Sequence, residues 1–254
     1  MKEQNDPEGK NAGEANDEKM THEQKQNTGS VEKEAVDVLA DKRLDKTVTA
    51  DGSGKNIVSN PDDLLVVTNK ERNLPADYIP EDLVYPNIPF PFEGKEEKMM
   101  LRKEAAAALE DLFKKAKEDK INLYAQSGYR SYERQEAIFA SNSERVGEEK
   151  ANRVSARAGQ SEHQTGLTMD VTSPAVDYKL VEDFENTVEG KWVKDHAHEF
   201  GFIIRYPKGK ESITGYNYEP WHLRYVGKEH AKMIQQKGIT LEEYLQPKHK
   251  AVNK

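Results

Sequence analysis

The sequence predicts an α+β fold, a small antiparallel β-sheet flanked by helices, and three observations carry that expectation. Leu167–Thr172 and Trp221–Tyr225 alternate apolar with polar or charged residues, the period of a half-buried strand. From Glu96 to Asp119 the apolar residues Met100, Ala107, Leu109, Leu112, Phe113 and Ala116 recur at helical spacing among lysines and glutamates. Ahead of that helix, prolines at 75, 80, 86, 89 and 91 mark an extended segment that hugs the surface.

Taken in order, the chain opens on a segment that does not resemble a folded one. Its first forty residues carry ten acidic and five basic side chains, and no aromatic residue precedes Tyr78. Such a stretch buries too little apolar surface to offset its ordering entropy, so residues 1–61 are expected to form a disordered acidic tether. A folded domain then runs over 62–246, followed by a basic tail over 247–254. Leu64–Val67 is a short apolar run of strand type, and Ile121–Gln126 is a second strand. Ser131 is placed to cap a helix that reaches about Ala140. A short exposed helix follows within residues 144–159, and another covers Asn186–Phe200. Gly201–Pro207 is a strand, Lys208–Tyr218 a loop, and a helix from Gly227 to about Lys237 with a helical turn at Leu241–Leu245 closes the domain.

Composition narrows the chemistry. With 38 Lys and Arg against 46 Asp and Glu, the net charge of −8 argues against a nucleic-acid partner. The absence of cysteine rules out disulfides, thiol catalysis and thiolate-bound zinc, leaving histidine and carboxylate as metal ligands. No apolar run approaches the length of about 18 residues that spans a membrane.

One stretch, Ser161-Glu162-His163-Gln164-Thr165-Gly166-Leu167-Thr168-Met169-Asp170, pairs with Glu219-Pro220-Trp221-His222 to supply two imidazoles, a carboxylate beside them and a second carboxylate left free. That is the donor inventory of a catalytic zinc site with an open position and a general base. In one continuous helix His163 and Asp170 would stand about 10 Å apart along the axis, too far to share an ion held at about 2 Å. The chain must fold back, and Gly166 is the residue free to make the bend. Beyond it Leu167, Met169 and Val171 face one side and Asp170 the other; Trp221, Leu223 and Tyr225 likewise oppose His222 and Arg224. Two strands sharing a core face therefore present Asp170 and His222 together, with His163 reaching in from the turn. Pro220 keeps Glu219 out of a helix, at the mouth of its strand, where it can activate the attacking water.

These residues resemble the zinc D-Ala-D-Ala carboxypeptidase family, which includes VanY-type D,D-carboxypeptidases and LdcB-type L,D-carboxypeptidases of bacterial cell walls. The resemblance rests on Ser161-x-His163, Gly166, Asp170 and Glu219-Pro220-Trp221-His222, and extends to Leu64–Lys70, Leu74-Pro75-x-x-Tyr78-x-Pro80-x-x-Leu83, Ser127–Ser131 and Trp221–Gly227. It covers roughly residues 62–245, with Thr168 standing where the family often has alanine. It implies a hedgehog/D,D-peptidase-like fold with the metal site at the sheet, Zn2+ as cofactor, and metal ligation by His163, Asp170 and His222. It also implies Glu219 as catalytic base and a peptidoglycan stem peptide as partner, shortened by its terminal D-alanine.

Arg130, Gln135, Ser155 and Ser161 match positions that contact the stem peptide in similar enzymes. By itself Arg130 reads as a surface arginine in a weak salt bridge; its planar fork also suits the substrate carboxylate that a carboxypeptidase must recognise. The serines read equally as turn residues. Tyr216 and Tyr218 either flank the substrate or pack. His196 and His198 diverge on a helix, one partly buried and one solvated, and His22, His230 and His249 read as ordinary surface residues. L,D-carboxypeptidase action on tetrapeptides is the favoured reading, with D,D action on pentapeptides as the alternative; a wall endopeptidase and a non-catalytic zinc-binding module are the other classes. The implied setting is extracellular, with a monomeric enzyme tethered on the wall side of the membrane by a signal or lipid anchor that the sequence lacks.

Overall fold

The computed structural model describes residues 39–246, apart from the side chains of Arg153 and Val154. Most of the acidic tether, the basic tail, His22 and His249 lie outside the described residues.

The folded part starts before residue 62. Val48–Ala50 (β1) and Asn56–Val58 (β2) form an antiparallel hairpin, and Val58 joins the core at 2 % exposure. Few apolar residues mark this hairpin in the sequence. It is docked by a guanidinium: Arg72 donates to the Leu44 carbonyl at 2.5 Å and to the Thr47 hydroxyl at 2.7 Å, and Val58 N–H donates to Asn73 O at 2.9 Å. The predicted boundary at 61 is thereby corrected, because tertiary hydrogen bonds supply the order that local composition does not.

In the run Leu64–Val67 the last three residues are buried and Leu64 partly so, but the run is no strand. Its carbonyls at Leu64 and Val66 accept from Arg224 Nη2 at 2.9 and 2.8 Å, so an arginine rather than a neighbouring strand satisfies the backbone. Leu83–Val84 (β3) pairs with Leu101–Arg102 (β4), and helix α1, Lys103–Glu118, follows directly. The helix starts later than the predicted Glu96. Met100 O is taken by Tyr129 N–H and Arg102 N–H by Gly166 O, each at 2.8 Å, which ties those residues to the site region instead of a helical ladder. Leu109, Leu112, Phe113 and Ala116 bury the inner face of α1 as expected, joined by Ala105 and Ala106, whereas the expected Ala107 is exposed because it lies two residues, about 200° around the helix, from Leu109.

Four strands form the central sheet: Tyr124–Ser127 (β5), Thr168–Thr172 (β6), Phe202–Tyr206 (β7) and Glu219–Tyr225 (β8). Their order is β5-β6-β8-β7 with every pair antiparallel. Ala125, Met169, Val171, Phe202, Leu223 and Tyr225 turn one face into the core against α1. Between β5 and β6 lie α2, Tyr132–Val146, and α3, Glu148–Val154; the Ser131 hydroxyl caps α2 by accepting from Arg134 N–H. Helix α4, Val188–His196, precedes β7, and the short α5, Glu211–Thr214, interrupts the loop before β8. Helices α6, Lys228–Lys237, and α7, Leu241–Leu245, complete the domain. This is the α+β architecture expected, and no helix among the described residues is long and apolar enough to cross a membrane.

Candidate metal centre and active site

The sheet places the two strand residues first. Asp170 on β6 and His222 on β8 are direct Cα partners across the ladder, so both side chains leave the same face. His163 comes from a 3-10 turn, Glu162–Thr165, which Gly166 ends in the left-handed conformation at φ 64°. A β-carbon at Gly166 would stand 2.9 Å from Leu83 Cδ2 and 3.0 Å from Arg102 Cγ, so both the backbone angle and the close approach demand glycine there.

One ligand atom from each of His163, Asp170 and His222 lies within 4.8 Å of the others, and all three residues are buried. His163 Nε2 is 3.5 Å from Asp170 Oδ2, and His222 Nδ1 is 3.1 Å from Asp170 Oδ1. The second contact is close but not aligned as a hydrogen bond, and Asp170 Oδ1 has no hydrogen-bond partner. An orphaned buried carboxylate oxygen facing two imidazoles is costly unless a cation completes the group. The two nitrogen donors and one oxygen donor fit zinc at a site with an open position.

The surroundings prepare each ligand. His163 Nδ1 stands 2.7 Å from the Gly128 carbonyl, which fixes the proton on Nδ1 and leaves the Nε2 lone pair facing the group. Gly128 is itself a close-packed position, where a β-carbon would meet Met100 O at 2.5 Å. Burial, reinforced by the Arg130 charge, pushes His163 down to about 3, so it stands neutral. Burial pushes the Asp170 carboxyl up, but His163, His222 and Arg130 hold it below the usual carboxylate range. Burial opposes charge on His222 too, yet the carboxylates of Asp170, Glu162 and Glu219 around it raise it well above the ordinary imidazole value.

Glu219 opens β8 opposite Tyr206, at an irregularity in the β7–β8 ladder, and its Oε2 lies 3.3 Å from His222 Nδ1. It is the more open of the four residues, with 23 % of its side chain exposed. Arg130 follows β5 and is half-buried; its guanidinium donates to Gln135 Oε1 at 2.8 Å and to Ser127 Oγ at 3.1 Å. Among the described residues no carboxylate forms a salt bridge with it, although the charges of Asp170 and Glu219 act on it.

Gln135 is 1 % exposed, and both ends of its amide are engaged, the second donating to Ala156 O at 2.6 Å. Ser155 ends α3 and Ser161 precedes the 3-10 turn, buried. Tyr216 packs its ring on Tyr206, which in turn lies against His222 at 4.7 Å; Tyr218 bonds to Glu185 instead. His196 rests on Trp192 and contacts Glu199 with 36 % of its side chain exposed, while His198 is partly buried with its Nδ1 shielded from solvent. His230 Nδ1 meets Tyr244 Oη at 2.9 Å. Glu162 and Tyr206, unmarked in the sequence reading, both touch the surroundings of His222; the sequence signal for Glu162 was its place inside the motif, directly before a ligand.

A buried His/Asp/His group on one face of a small antiparallel sheet, with a carboxylate alongside, defines a metal-dependent hydrolase. The family described as VanY, D-alanyl-D-alanine carboxypeptidase, matches residues 98–228. The chain is 52 % identical over 193 residues to YodJ of Bacillus subtilis (strain 168), named as a carboxypeptidase, covering 76 % of this chain and 71 % of that one. The structure of the LdcB LD-carboxypeptidase matches with a TM-score of 0.74 and 52 % identity, covering 76 % of this chain and 91 % of that one. The D,D-pentapeptidase VanY bound to Zn(II) matches with a TM-score of 0.58 and 30 % identity, covering 72 % of this chain and 98 % of that one. The chain belongs to this VanY-type and LdcB-type family of zinc carboxypeptidases of peptidoglycan.

Proposed function

We propose that the protein removes the C-terminal D-alanine from peptidoglycan stem tetrapeptides, as an L,D-carboxypeptidase. The observation that carries the chemistry is the buried convergence of His163, Asp170 and His222 within 4.8 Å, with Glu219 3.3 Å from one of them. His163 through Nε2, Asp170 through its carboxylate and His222 through Nδ1 would hold the metal. Zinc, when bound, supplies a Lewis acid for the scissile carbonyl and acidifies the attacking water. Glu219 accepts that water's proton and returns it to the departing amine.

Arg130 receives the C-terminal carboxylate of the peptide in its planar fork, for which its half-buried charge has no carboxylate partner among the described residues. Gln135 holds that fork in place, since its amide is spent on Arg130 and Ala156. Ser155 and Ser161 line the peptide's approach. The greater likeness to the LdcB LD-carboxypeptidase than to the D,D-pentapeptidase VanY supports the L,D assignment. A peptidoglycan substrate supports a setting on the wall side of the membrane, and we propose a tethered monomer there.

Purified enzyme incubated with defined tetra- and pentapeptides, with products read by mass, tests the assignment. The tetrapeptide is expected to lose one alanine while the pentapeptide reacts far more slowly. Preferred loss of one alanine from the pentapeptide would make the enzyme a D,D-carboxypeptidase. Release of a larger fragment would make it an endopeptidase, and zinc retained without turnover would make it a binding module.

A further inference from the structure

Glu162 precedes His163 in the chain, but its side chain serves the other histidine. It is 1 % exposed, and its Oε1 accepts from Arg205 Nε and from Arg224 Nη1, each at 2.7 Å. Both guanidiniums are fixed in turn. Arg205 donates to the two oxygens of Glu242 at 2.8 and 2.6 Å, and Arg224 donates to the carbonyls of Leu64, Val66 and Tyr225. Two cations and two carboxylates cancel in charge, so the cluster tolerates burial that an isolated carboxylate would not. The arginines outweigh burial and hold Glu162 ionised.

Its second oxygen, Oε2, has no hydrogen-bond partner among the described residues, and it lies 3.9 Å from His222 Nε2, which has none either. His222 faces Asp170 and Glu219 with its other nitrogen, Nδ1. A movement of roughly 1 Å brings the two unpartnered atoms to hydrogen-bond distance.

We propose that Glu162 is the positioning residue of the metal centre: its free oxygen accepts the hydrogen bond of His222 Nε2–H and so keeps Nδ1 as the ligating atom. The inference rests on the reading of His163, Asp170 and His222 as the ligands. It gives the buried arginine pair a purpose. By occupying Oε1 they leave Glu162 a single oxygen to offer and aim it at the imidazole. Such partners of ligating histidines fix tautomer and orientation and raise ligand basicity.

Glu162→Gln tests this with little change of shape. Arg205 and Arg224 are donors, so they demand the amide oxygen and turn the amide NH2 toward His222 Nε2–H, donor against donor. Zinc affinity of the full chain, measured by chelator competition, is expected to fall about 10- to 100-fold in this variant. Zinc is expected to bind Glu219→Gln normally and to be lost from His222→Ala. In the zinc-loaded wild type, the His222 Nε2 proton is expected far downfield in the NMR spectrum and slow to exchange with water, and to move upfield in Glu162→Gln. A wild-type proton that exchanges freely overturns the proposal even should the variant not fold. Loss of zinc from His222→Ala, with affinity and proton unmoved in Glu162→Gln, overturns the proposal and leaves the ligand reading standing. Full zinc affinity in His222→Ala overturns both.

Discussion

Glu219→Gln is expected to abolish nearly all turnover while leaving zinc in place. A positioned general base contributes about 10²- to 10⁴-fold, so kcat should fall by that range with KM little changed. The amide keeps the size and polarity of the side chain but cannot accept the proton of the attacking water. Zinc content is expected to be unchanged, because the buried donor group comprises His163, Asp170 and His222 without Glu219. Steady-state kinetics with metal analysis of the same sample checks both halves. Wild-type turnover would remove Glu219 from the base role, and loss of zinc would make it a ligand.

The second large effect is expected at Arg130. Its guanidinium is held by Gln135 and Ser127, and no salt bridge among the described residues neutralises it. Truncating one partner of a buried charge pair costs about 2–5 kcal/mol, so Arg130→Ala is expected to lose roughly 30-fold to a few thousand-fold in kcat/KM. A peptide with its C-terminal carboxylate amidated should be a poor substrate for the wild type and no poorer for the variant, since both changes remove the same pair. Additive losses would mean that Arg130 acts elsewhere. Arg130→Lys keeps the charge but loses the two-pronged geometry and should recover only part of the activity.

The heart of the site was legible in the sequence because it depends on local geometry. Period-2 patterning put Asp170 and His222 on one face of their strands, and the ladder pairs them directly. The impossibility of sharing an ion along one helix required a bend, which Gly166 makes. What the sequence hid depends on distant partners. Glu162 looks like a solvated charge beside a ligand until Arg205 and Arg224, each set in an otherwise apolar stretch, converge on it from two strands. The hairpin of β1 and β2 has too little apolar character to announce itself, and Arg72 anchors it from outside. Leu64–Val67 has strand composition, but Arg224 takes the hydrogen bonds that a neighbouring strand would have made. Gln135 was found by resemblance, whereas its support of Arg130 emerges only from the folded contacts.

The central claim is that three side chains from a 3-10 turn and two paired strands hold one zinc ion. Anomalous scattering from crystals of the zinc-loaded protein, recorded on both sides of the zinc absorption edge, tests it most directly. One strong peak is expected about 2.0–2.2 Å from His163 Nε2, an Asp170 carboxylate oxygen and His222 Nδ1, with Glu219 beyond bonding distance. A peak away from any of these three atoms, or one bonded to His222 through Nε2, would contradict it.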